Sequence, residues 1–433
     1  MSLFPRRAIF LCLFAALLSS SAALSAQVTT FAGEPFTSTV EQLRAASAAA
    51  PVDHEHSVQI LLKERTYTVG GSGTVASRSR LIFRVDSQDA VDGWSEMSAT
   101  WDPWFEGPAQ LHARVLESDG RFVELDQSTI TDAPVKGDDP ETYSSEHVRR
   151  APLPGVSVGA IVEEVQETDE KTPYFAGGGL YRAGFRTGVP VARERLIVDM
   201  PASMPFKDAI TGLPSLVITR QMSGGRRHVV YEQTAIPAGH NSDIELATND
   251  PETPMVQFAT GTSWKEIAAD YAAIADPEMI PAETQSILPA NLPTDREARI
   301  RAIVAELHQQ VRYTGVEFGA ARLTPERPSE VIQRHYGDCK DKATLLVAML
   351  REAGIPAYVA LLSTGPGIDV TPDLPGMTQF DHAIVYVPAD GANKALWIDA
   401  TAQYFQPGIL PWPDSGRMAL IIAPKTTGLT RIP

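Results

Sequence analysis

Two hydrophobic periodicities divide the chain. Between about His56 and Gln233, apolar residues alternate with polar ones, as at Val58, Ile60 and Leu62. A period of two is typical of strands that bury one face. The alternation recurs at residues 111–115 and 196–200, and glycine-containing turns fall at 70–71, 119–120, 177–179 and 224–225. This half therefore predicts an antiparallel, β-sandwich-like domain over residues 52–240.

The second half has a helical period. An apolar stripe from Ile300 to Leu307 predicts a helix over residues 297–313. The Pro-bearing stretch 277–293 predicts a linker. Further helices are predicted at 264–275 and 339–353, and strands at 357–362, 382–387 and 395–399. Helices followed by antiparallel strands indicate an α+β domain over residues 263–433.

The N-terminal segment has the order of a secretory signal. Arg6 and Arg7 precede an apolar run, Ala8–Leu18, and then a stretch of small residues, Ser19–Ala26. This order predicts a signal peptide over residues 1–26 and an exported protein, periplasmic or secreted. An uncleaved anchor is the alternative, although the run barely approaches the ~20 residues that span a bilayer. No later stretch is long and apolar enough to predict a transmembrane helix.

Composition narrows the function. The chain has 433 residues, a length that suggests two or three domains. It carries 37 basic and 53 acidic residues, a formal net charge of −16, and no basic cluster. Nucleic-acid binding is therefore not expected, because phosphate contacts need Lys and Arg. The 33 prolines and 31 glycines exclude long helical bundles and coiled coils.

The cysteines point to one position. The chain has 2 cysteines, Cys12 and Cys339, and Cys12 lies in the predicted signal peptide. A lone thiol in an oxidising compartment is either an inert buried residue or a nucleophile. Asp338 and Asp341 predict a helix that begins at Cys339, where free backbone N–H groups and the helix dipole favour a thiolate. Because Cys339 also falls on the apolar stripe of that helix, both interpretations stay open.

A thiol nucleophile needs a base, and the base needs an orienting carboxylate. His382 opens one predicted strand and Asp399 ends the next. A hairpin centred between Asp390 and Gly391 pairs these strands, so the two side chains should lie close together. A histidine at a strand start is more often structural, but its conjunction with Asp399 and Cys339 indicates a catalytic triad.

Ordered sequence blocks surround these residues. They are Val311-Arg312-Tyr313, Gly337-Asp338-Cys339-Lys340-Asp341-Lys342-Ala343, Asp381-His382-Ala383 and Trp397-Ile398-Asp399-Ala400-Thr401. In this order they resemble the bacterial transglutaminase-like core of the papain-like superfamily. The resemblance, which spans about residues 263–402, implies Cys339 as nucleophile, His382 as base and acid, and Asp399 as orienting residue. It also implies that Tyr313 stabilises the oxyanion, although an aromatic residue there equally fits core packing.

The β-rich half resembles the uncharacterised domain that commonly precedes this core in exported bacterial proteins. The similar segments are residues 154–163 and 190–195. This resemblance implies an architecture and no activity.

Rival motifs carry less weight. Residues 155–159 match the serine nucleophile elbow, but a strand rather than the required helix is predicted after them. His54-Glu55-His56 lacks a third metal ligand at a recognisable spacing, and Gly70–Gly73 lacks the Lys of a phosphate loop. No metal or organic cofactor is therefore expected.

Two classes of function remain. The first is an exported enzyme that transfers acyl groups through Cys339 and acts on the amide bonds of a protein or peptide substrate. Water as acceptor makes it a protease or amidase, an amine makes it a cross-linker, and the family resemblance favours hydrolysis. The alternative is a non-enzymatic binding or scaffold module of the cell envelope with a vestigial triad. The sequence does not determine the oligomeric state.

Overall fold

The computed structural model describes residues 31, 33–51, 55–136, 142–239, 254–365, 369–391 and 393–433. The predicted signal peptide, residues 1–26, and His54 lie outside the described residues. Within the described part, no helix has the length and apolar character needed to cross a membrane.

The N-terminal half consists mainly of strands, as the alternation predicts. In chain order its helices and strands are α1 (Val40–Ala49), β1 (Val58–Val69), β2 (Val75–Val85), α2 (Gln88–Gly93), β3 (Glu96–Trp101), β4 (Gln110–Leu116), β5 (Phe122–Glu124), β6 (Thr131–Pro134), β7 (Thr142–Ser144), β8 (His147–Pro152), β9 (Ile161–Asp169), β10 (Leu180–Gly184), β11 (Val191–Pro201), β12 (Lys207–Thr211), β13 (Val217–Ser223), β14 (Arg226–Ile236) and β15 (Met255–Ala259). The residues after the Gly155–Gly159 motif form β9, so that motif does not lead into a helix.

These strands form a large sheet that shares one apolar core with two small sheets. The large sheet has 8 strands in the order β13-β14-β11-β1-β2-β9-β4-β5, and the small ones are β10-β15-β12 and β3-β8-β6. Phe83, Leu196 and Tyr231 of the large sheet are buried together with Met97 and Phe258 of the small sheets. This two-layer arrangement confirms the predicted β-rich, sandwich-like half.

One pairing differs from the antiparallel prediction. Strand β1 runs parallel to β11, with Ile60 opposite Val191 and Thr68 opposite Asp199. Adjacent strands joined by a short turn must be antiparallel, but β1 and β11 are separated by most of the domain. The period-two pattern gives the buried face of each strand and does not give its direction.

The C-terminal half contains the predicted helices and strands. Its elements are α3 (Trp264–Ala275), α4 (Arg296–Gln310), β16 (Arg312–Tyr313), β17 (Gly315–Glu317), α5 (Pro328–Arg334), β18 (Tyr336–Gly337), α6 (Cys339–Glu352), β19 (Tyr358–Leu362), β20 (His382–Val387), β21 (Leu396–Ile398), β22 (Met418–Ile421) and β23 (Thr430–Arg431). Helix α4 ends earlier than predicted because the chain continues into β16. The α+β prediction is confirmed.

Helix α6 lies at the centre of this half. It packs on a 5-stranded sheet in the order β21-β20-β19-β22-β23, and Ala343, Leu346 and Leu350 are fully buried. The stretch predicted as a linker, 277–293, contains 3-10 turns at Asp276–Glu278 and Pro281–Thr284. Met279, Thr284 and Ile287 are buried in this stretch, so it belongs to the core around α6.

The hairpin of β20 and β21 is close to the predicted register. Val385 pairs with Ile398 and Val387 with Leu396, and Asp390 and Asn393 exchange backbone hydrogen bonds of 3.1 and 2.9 Å across the turn. The hairpin is therefore centred one residue later than predicted. His382 and Asp399 still lie at the same end of the paired strands.

The packing of α4 predicts that substitutions on its buried and exposed faces differ greatly in their effect on stability. Leu307 is fully buried, so Leu307→Ala should lower the free energy of unfolding of the C-terminal half by about 2–5 kcal/mol, because it leaves a cavity. Urea unfolding followed by circular dichroism measures this. The exposed Gln309 of the same helix provides the control: Gln309→Ala should change little. Equal effects of the two substitutions would contradict the packing described.

Candidate active site

Cys339 is the first residue of α6, as the sequence predicts. The Asp338 carboxylate accepts a hydrogen bond from the Asp341 N–H at 3.0 Å, and the Asp341 carboxylate accepts one from the Asp338 N–H at 3.3 Å. This reciprocal cap fixes the helix start in a buried environment. The thiol of Cys339 is half-buried and free of any disulfide.

The charges beside Cys339 are paired. Lys340 forms an ion pair with Asp338, and Arg334 forms one with Asp341. Lys342 is buried and donates a hydrogen bond from Nζ to the Val311 carbonyl at 2.7 Å. Burial lowers the pKa of Lys342 to about 8. The charges of Lys340 and Arg334 are thus offset by the two aspartates, and the field of the helix N-terminus adds to the influence of nearby side chains on the thiol.

His382 is held at the start of β20 by its neighbour. The Asp381 carboxylate accepts backbone hydrogen bonds from Thr364 at 2.7 Å and Gly365 at 3.3 Å. The Asp381 N–H donates to the Leu362 carbonyl at 3.1 Å. These bonds fix the loop after β19 against the strand that carries His382.

The His382 ring lies between Cys339 and Asp399. Its Nε2 atom is 3.4 Å from Asp399 Oδ1. Burial acts to lower the pKa of His382, but hydrogen bonds to Asp399 and Cys339 and the charges of both outweigh it. The pKa of His382 is therefore raised well above its usual value. The structure thus brings the three predicted residues together, with the imidazole favoured in its charged form.

Asp399 directly follows β21 and is held in place by Thr401. Its Oδ1 accepts hydrogen bonds from the backbone N–H and the hydroxyl of Thr401, each at 2.8 Å. Burial acts to raise the pKa of Asp399, but the bonds from His382 and Thr401 outweigh it and keep that pKa below its usual value. Asp399 therefore presents a charged carboxylate to the imidazole.

Sequence reasoning missed a second carboxylate, Asp414. Its side chain is 2% exposed, and its Oδ2 atom has no hydrogen-bond partner among the described residues. Burial and the charge of Asp399 raise the pKa of Asp414 to about 6, against the opposing influence of His382 and Arg417. Asp414 lies in a loop with no recognisable motif, so only the fold reveals it.

Asp414 forms a group of potential metal ligands together with His382 and Asp399. One atom each from His382, Asp399 and Asp414 lie within 4.8 Å of one another. An imidazole and two carboxylates could hold a divalent cation. A metal bound there would occupy the imidazole that contacts Cys339 and Asp399, so it would compete with acid–base chemistry.

Tyr313, predicted as an oxyanion-stabilising residue, lies beside the loop that carries Cys339. Strand β16 pairs in parallel with β18, which places Tyr313 opposite Gly337. The Tyr313 side chain is 36% exposed, and the described residues that line the cavity around Cys339 do not include it. Its backbone position near the thiol is thus clear, while its predicted role stays a prediction.

The thiol opens into a cavity of about 830 Å³ between the two halves of the chain. Cys339 and His382 lie on one wall, and Tyr67, Ser77 and Thr168 of the large sheet lie on the other. The halves are joined by the pairing of β7 with β17 and by an ion pair between the buried Asp102 and Arg322, at 2.6 Å. The N-terminal half is thus a wall of the candidate site.

Comparison with protein families agrees with this architecture. Residues 71–239 match DUF3857, a domain of unknown function, and residues 288–399 match the transglutaminase-like superfamily. The chain therefore contains a DUF3857 domain followed by a transglutaminase-like core. A search of curated proteins finds no match.

One solved structure shares the fold of this chain. A putative protease from Parabacteroides distasonis has 16% sequence identity and a TM-score of 0.68, with 86% of this chain and 72% of that one covered. A putative cysteine protease from Cytophaga hutchinsonii has 13% identity and a TM-score of 0.24, with 52% and 76% covered. The first supports the arrangement of both halves, and the second is too dissimilar to support an argument.

Asp414 predicts an acid limb in the reactivity of the thiol. Ionised Asp414 adds negative charge beside His382 and favours the imidazolium, and protonation below about pH 6 removes that charge. The rate at which iodoacetamide alkylates Cys339 should therefore fall through an inflection near this pH. In Asp414→Asn the inflection should be absent and the rate at neutral pH lower.

Asp373→Asn, at an exposed position, is the matched control and should keep the inflection. The melting temperature of Asp414→Asn at neutral pH should equal or exceed that of the wild type, because a carboxyl with a raised pKa costs stability once it ionises. An unchanged pH profile in Asp414→Asn would remove Asp414 from the site.

Proposed function

We propose that the chain is a thiol acyl-transfer enzyme that acts on amide bonds of a protein or peptide. Cys339 is the nucleophile, His382 the general base and acid, and Asp399 the residue that orients the imidazole. The observation that carries the proposal is the position of the His382 ring, which contacts both the thiol and Asp399 and faces a cavity of about 830 Å³. The match of residues 288–399 to the transglutaminase-like superfamily supports the same class of chemistry.

The reaction follows from these positions. The Cys339 thiolate attacks the amide carbonyl carbon, and the carbon–sulfur bond forms as the carbonyl oxygen takes up negative charge. In the proposed step, backbone N–H groups at the start of α6 stabilise that oxygen. His382 then protonates the leaving amine as the carbon–nitrogen bond breaks, which leaves a thioester on Cys339.

Water completes the proposed cycle. His382 takes a proton from water, the oxygen attacks the thioester carbon, and the carbon–sulfur bond breaks to give a carboxylic acid and the free thiol. The wall opposite Cys339 carries polar side chains, Ser77, Thr168 and Gln166 among them, which favours entry of water. Hydrolysis is therefore the proposed outcome, and transfer to an amine would follow the same steps with the amine in place of water.

The proposed triad predicts that substitution of its members reduces the reactivity of the Cys339 thiol. Both His382→Ala and Asp399→Asn should slow alkylation of Cys339 by iodoacetamide at slightly acidic pH, His382→Ala by at least about tenfold, because the imidazolium no longer stabilises the thiolate. Cys339→Ala should show no labelling. His112→Ala, on β4 and away from the site, is the matched control.

Melting temperatures separate loss of the triad from loss of the fold. The two triad variants should remain folded. A fall in labelling then results from lower reactivity of the thiol and not from unfolding. Comparing iodoacetamide with a bulkier maleimide shows whether the N-terminal half restricts access to the thiol. Unchanged labelling in both folded variants would overturn the triad and favour the binding or scaffold module.

We also propose that the protein is exported. The support is the order of Arg6-Arg7, the apolar run and the small-residue stretch. Protein recovered from the native host should begin within a few residues of Gln27, as N-terminal sequencing measures. A membrane-bound product that keeps residues 1–26 would show an anchor instead.

A further inference from the structure

The inner face of the large sheet, which faces the small sheets, is polar where it passes the candidate active site. Alternate residues of a strand share a face, so the strand register places polar residues side by side in rows. The rows are Thr168–Ser77–Tyr67, Gln166–Ser79–Arg65 and Glu164–Leu81–Lys63–Glu194, in the last of which Leu81 is apolar. A sandwich core would ordinarily bury apolar residues at these positions.

A second cavity, of about 240 Å³, extends along these rows from the catalytic cavity. Arg65, Ser79 and Gln166 line both cavities, so the two cavities adjoin. Glu164 and Glu194 line the second cavity. We call the two adjoining cavities together, from Cys339 to Glu164, the inner groove.

Two neighbouring glutamates on β9, Glu163 and Glu164, differ in whether their buried carboxylates have partners. Glu163 is fully buried on the opposite face of the sheet, where Arg80 donates to it at 2.9 Å and Arg114 at 2.8 Å. Glu164 is 7% exposed and points into the groove. Among the described residues, no hydrogen bond or ion pair reaches its carboxyl group. The same strand thus satisfies one buried carboxylate and leaves the next without a partner.

Burial without a partner has a measurable consequence for Glu164. It raises the pKa of Glu164 to about 8, because a charged carboxylate is unfavourable away from water. Glu194 has one oxygen paired with Lys63 at 2.7 Å, while its Oε2 has no partner among the described residues. The far end of the groove therefore has unused acceptors for hydrogen bonds from a cation.

The nearby cations are already engaged. Lys63 pairs with Glu194, and Arg195 pairs with Glu64 at 2.6 Å. Arg65 donates to the Ser79 hydroxyl at 3.1 Å. Among the described residues around the groove, these contacts leave Glu164 without a counter-ion from the chain.

We propose that the inner groove binds an extended peptide segment of the substrate and that Glu164, with the free oxygen of Glu194, receives a lysine-type ammonium group of that segment. The inference rests on the proposed function, in which Cys339 attacks an amide bond at the other end of this segment. It assigns to the N-terminal half the selection of the substrate, since Glu164 and Glu194 lie on that half of the chain.

The groove sets the spacing between the ammonium group and the reacting amide. Thr168, which lines the catalytic cavity, is four positions along β9 from Glu164, or about 13 Å at the rise of a strand. An extended peptide covers that distance in about four residues. A free small amine is too short to contact both ends.

Short alanine-based peptides with blocked ends test the proposal. Each carries a single lysine, scanned along the sequence, or norleucine in its place, and binding to the folded Cys339→Ala protein is measured by calorimetry. Lysine should improve binding over norleucine by about tenfold at the best position, because the buried site supplies a charge-assisted hydrogen bond. The preference should increase from neutral pH to about pH 9, where Glu164 ionises and lysine keeps its charge.

Glu164→Gln in the Cys339→Ala background should abolish the preference for lysine. The exposed Glu124, on β5, supplies the matched control. Glu124→Gln should leave the preference for lysine unchanged. The melting temperature of Glu164→Gln should not fall above neutral pH, since an unpaired buried charge has been removed. Equal affinity for the lysine and norleucine peptides, or a preference that survives Glu164→Gln, would overturn the proposal, and binding of cadaverine as tight as that of the peptides would contradict the extended segment.

The peptide-binding experiment and the alkylation experiment can fail separately. If lysine peptides show no preference while His382→Ala still slows alkylation of Cys339 in the wild-type background, only the groove proposal fails. If lysine peptides bind through Glu164 while alkylation is insensitive to His382 and Asp399, the groove proposal survives and the enzyme proposal fails.

Discussion

The structure of the site depends on one buried helix start. Helix α6 is surrounded by its sheet, by α4 and α5 and by the stretch 277–293, so its first turn has little access to water. Unsatisfied N–H groups in such a place are costly. The cap formed by Asp338 and Asp341 satisfies part of this demand, and the ion pairs of these residues with Lys340 and Arg334 offset the cost of burying them. Because Cys339 is the first residue inside this cap, the core of the domain fixes the position of the thiol.

The sheet beside α6 and the loop after it bring three ionisable groups close to the thiol. Burial opposes the charge on His382, on Asp399 and on Asp414 alike. Their mutual contact, together with Cys339 beside His382 and Thr401 beside Asp399, keeps the first two charged, whereas Asp414 has an oxygen without a partner among the described residues and a pKa of about 6. The imidazole is thus coupled to two carboxylates of different character: Asp399 is fixed by Thr401, whereas Asp414 changes its charge within an ordinary range of pH. A triad described by three residues alone would omit that coupling.

The sequence predicted those features that arise from local chemistry. The cap before Cys339, the helical stripe of α4 and the hairpin of β20 and β21 each follow from a few adjacent residues, and each is present with an error of only a few positions. Asp414 could not be predicted, because it reaches the site through a loop without regular structure. The parallel pairing of β1 with β11 and the inner groove were also missed. Alternation shows that Ser77, Ser79 and Gln166 share a face of the sheet, but it does not show that the rest of the chain covers that face.

The contact between the halves determines how the candidate site must be understood. Asp102 is 3% exposed and pairs with Arg322, which comes from the other half of the chain. Separation of the halves would leave a buried charge without its partner, an outcome that is strongly unfavourable unless water replaces it. The backbone pairing of β7 with β17 adds a second fixed contact. A wall held in this way is a stable part of the cavity around Cys339. The DUF3857 domain is therefore best regarded as half of the site rather than as an appendage to the transglutaminase-like core.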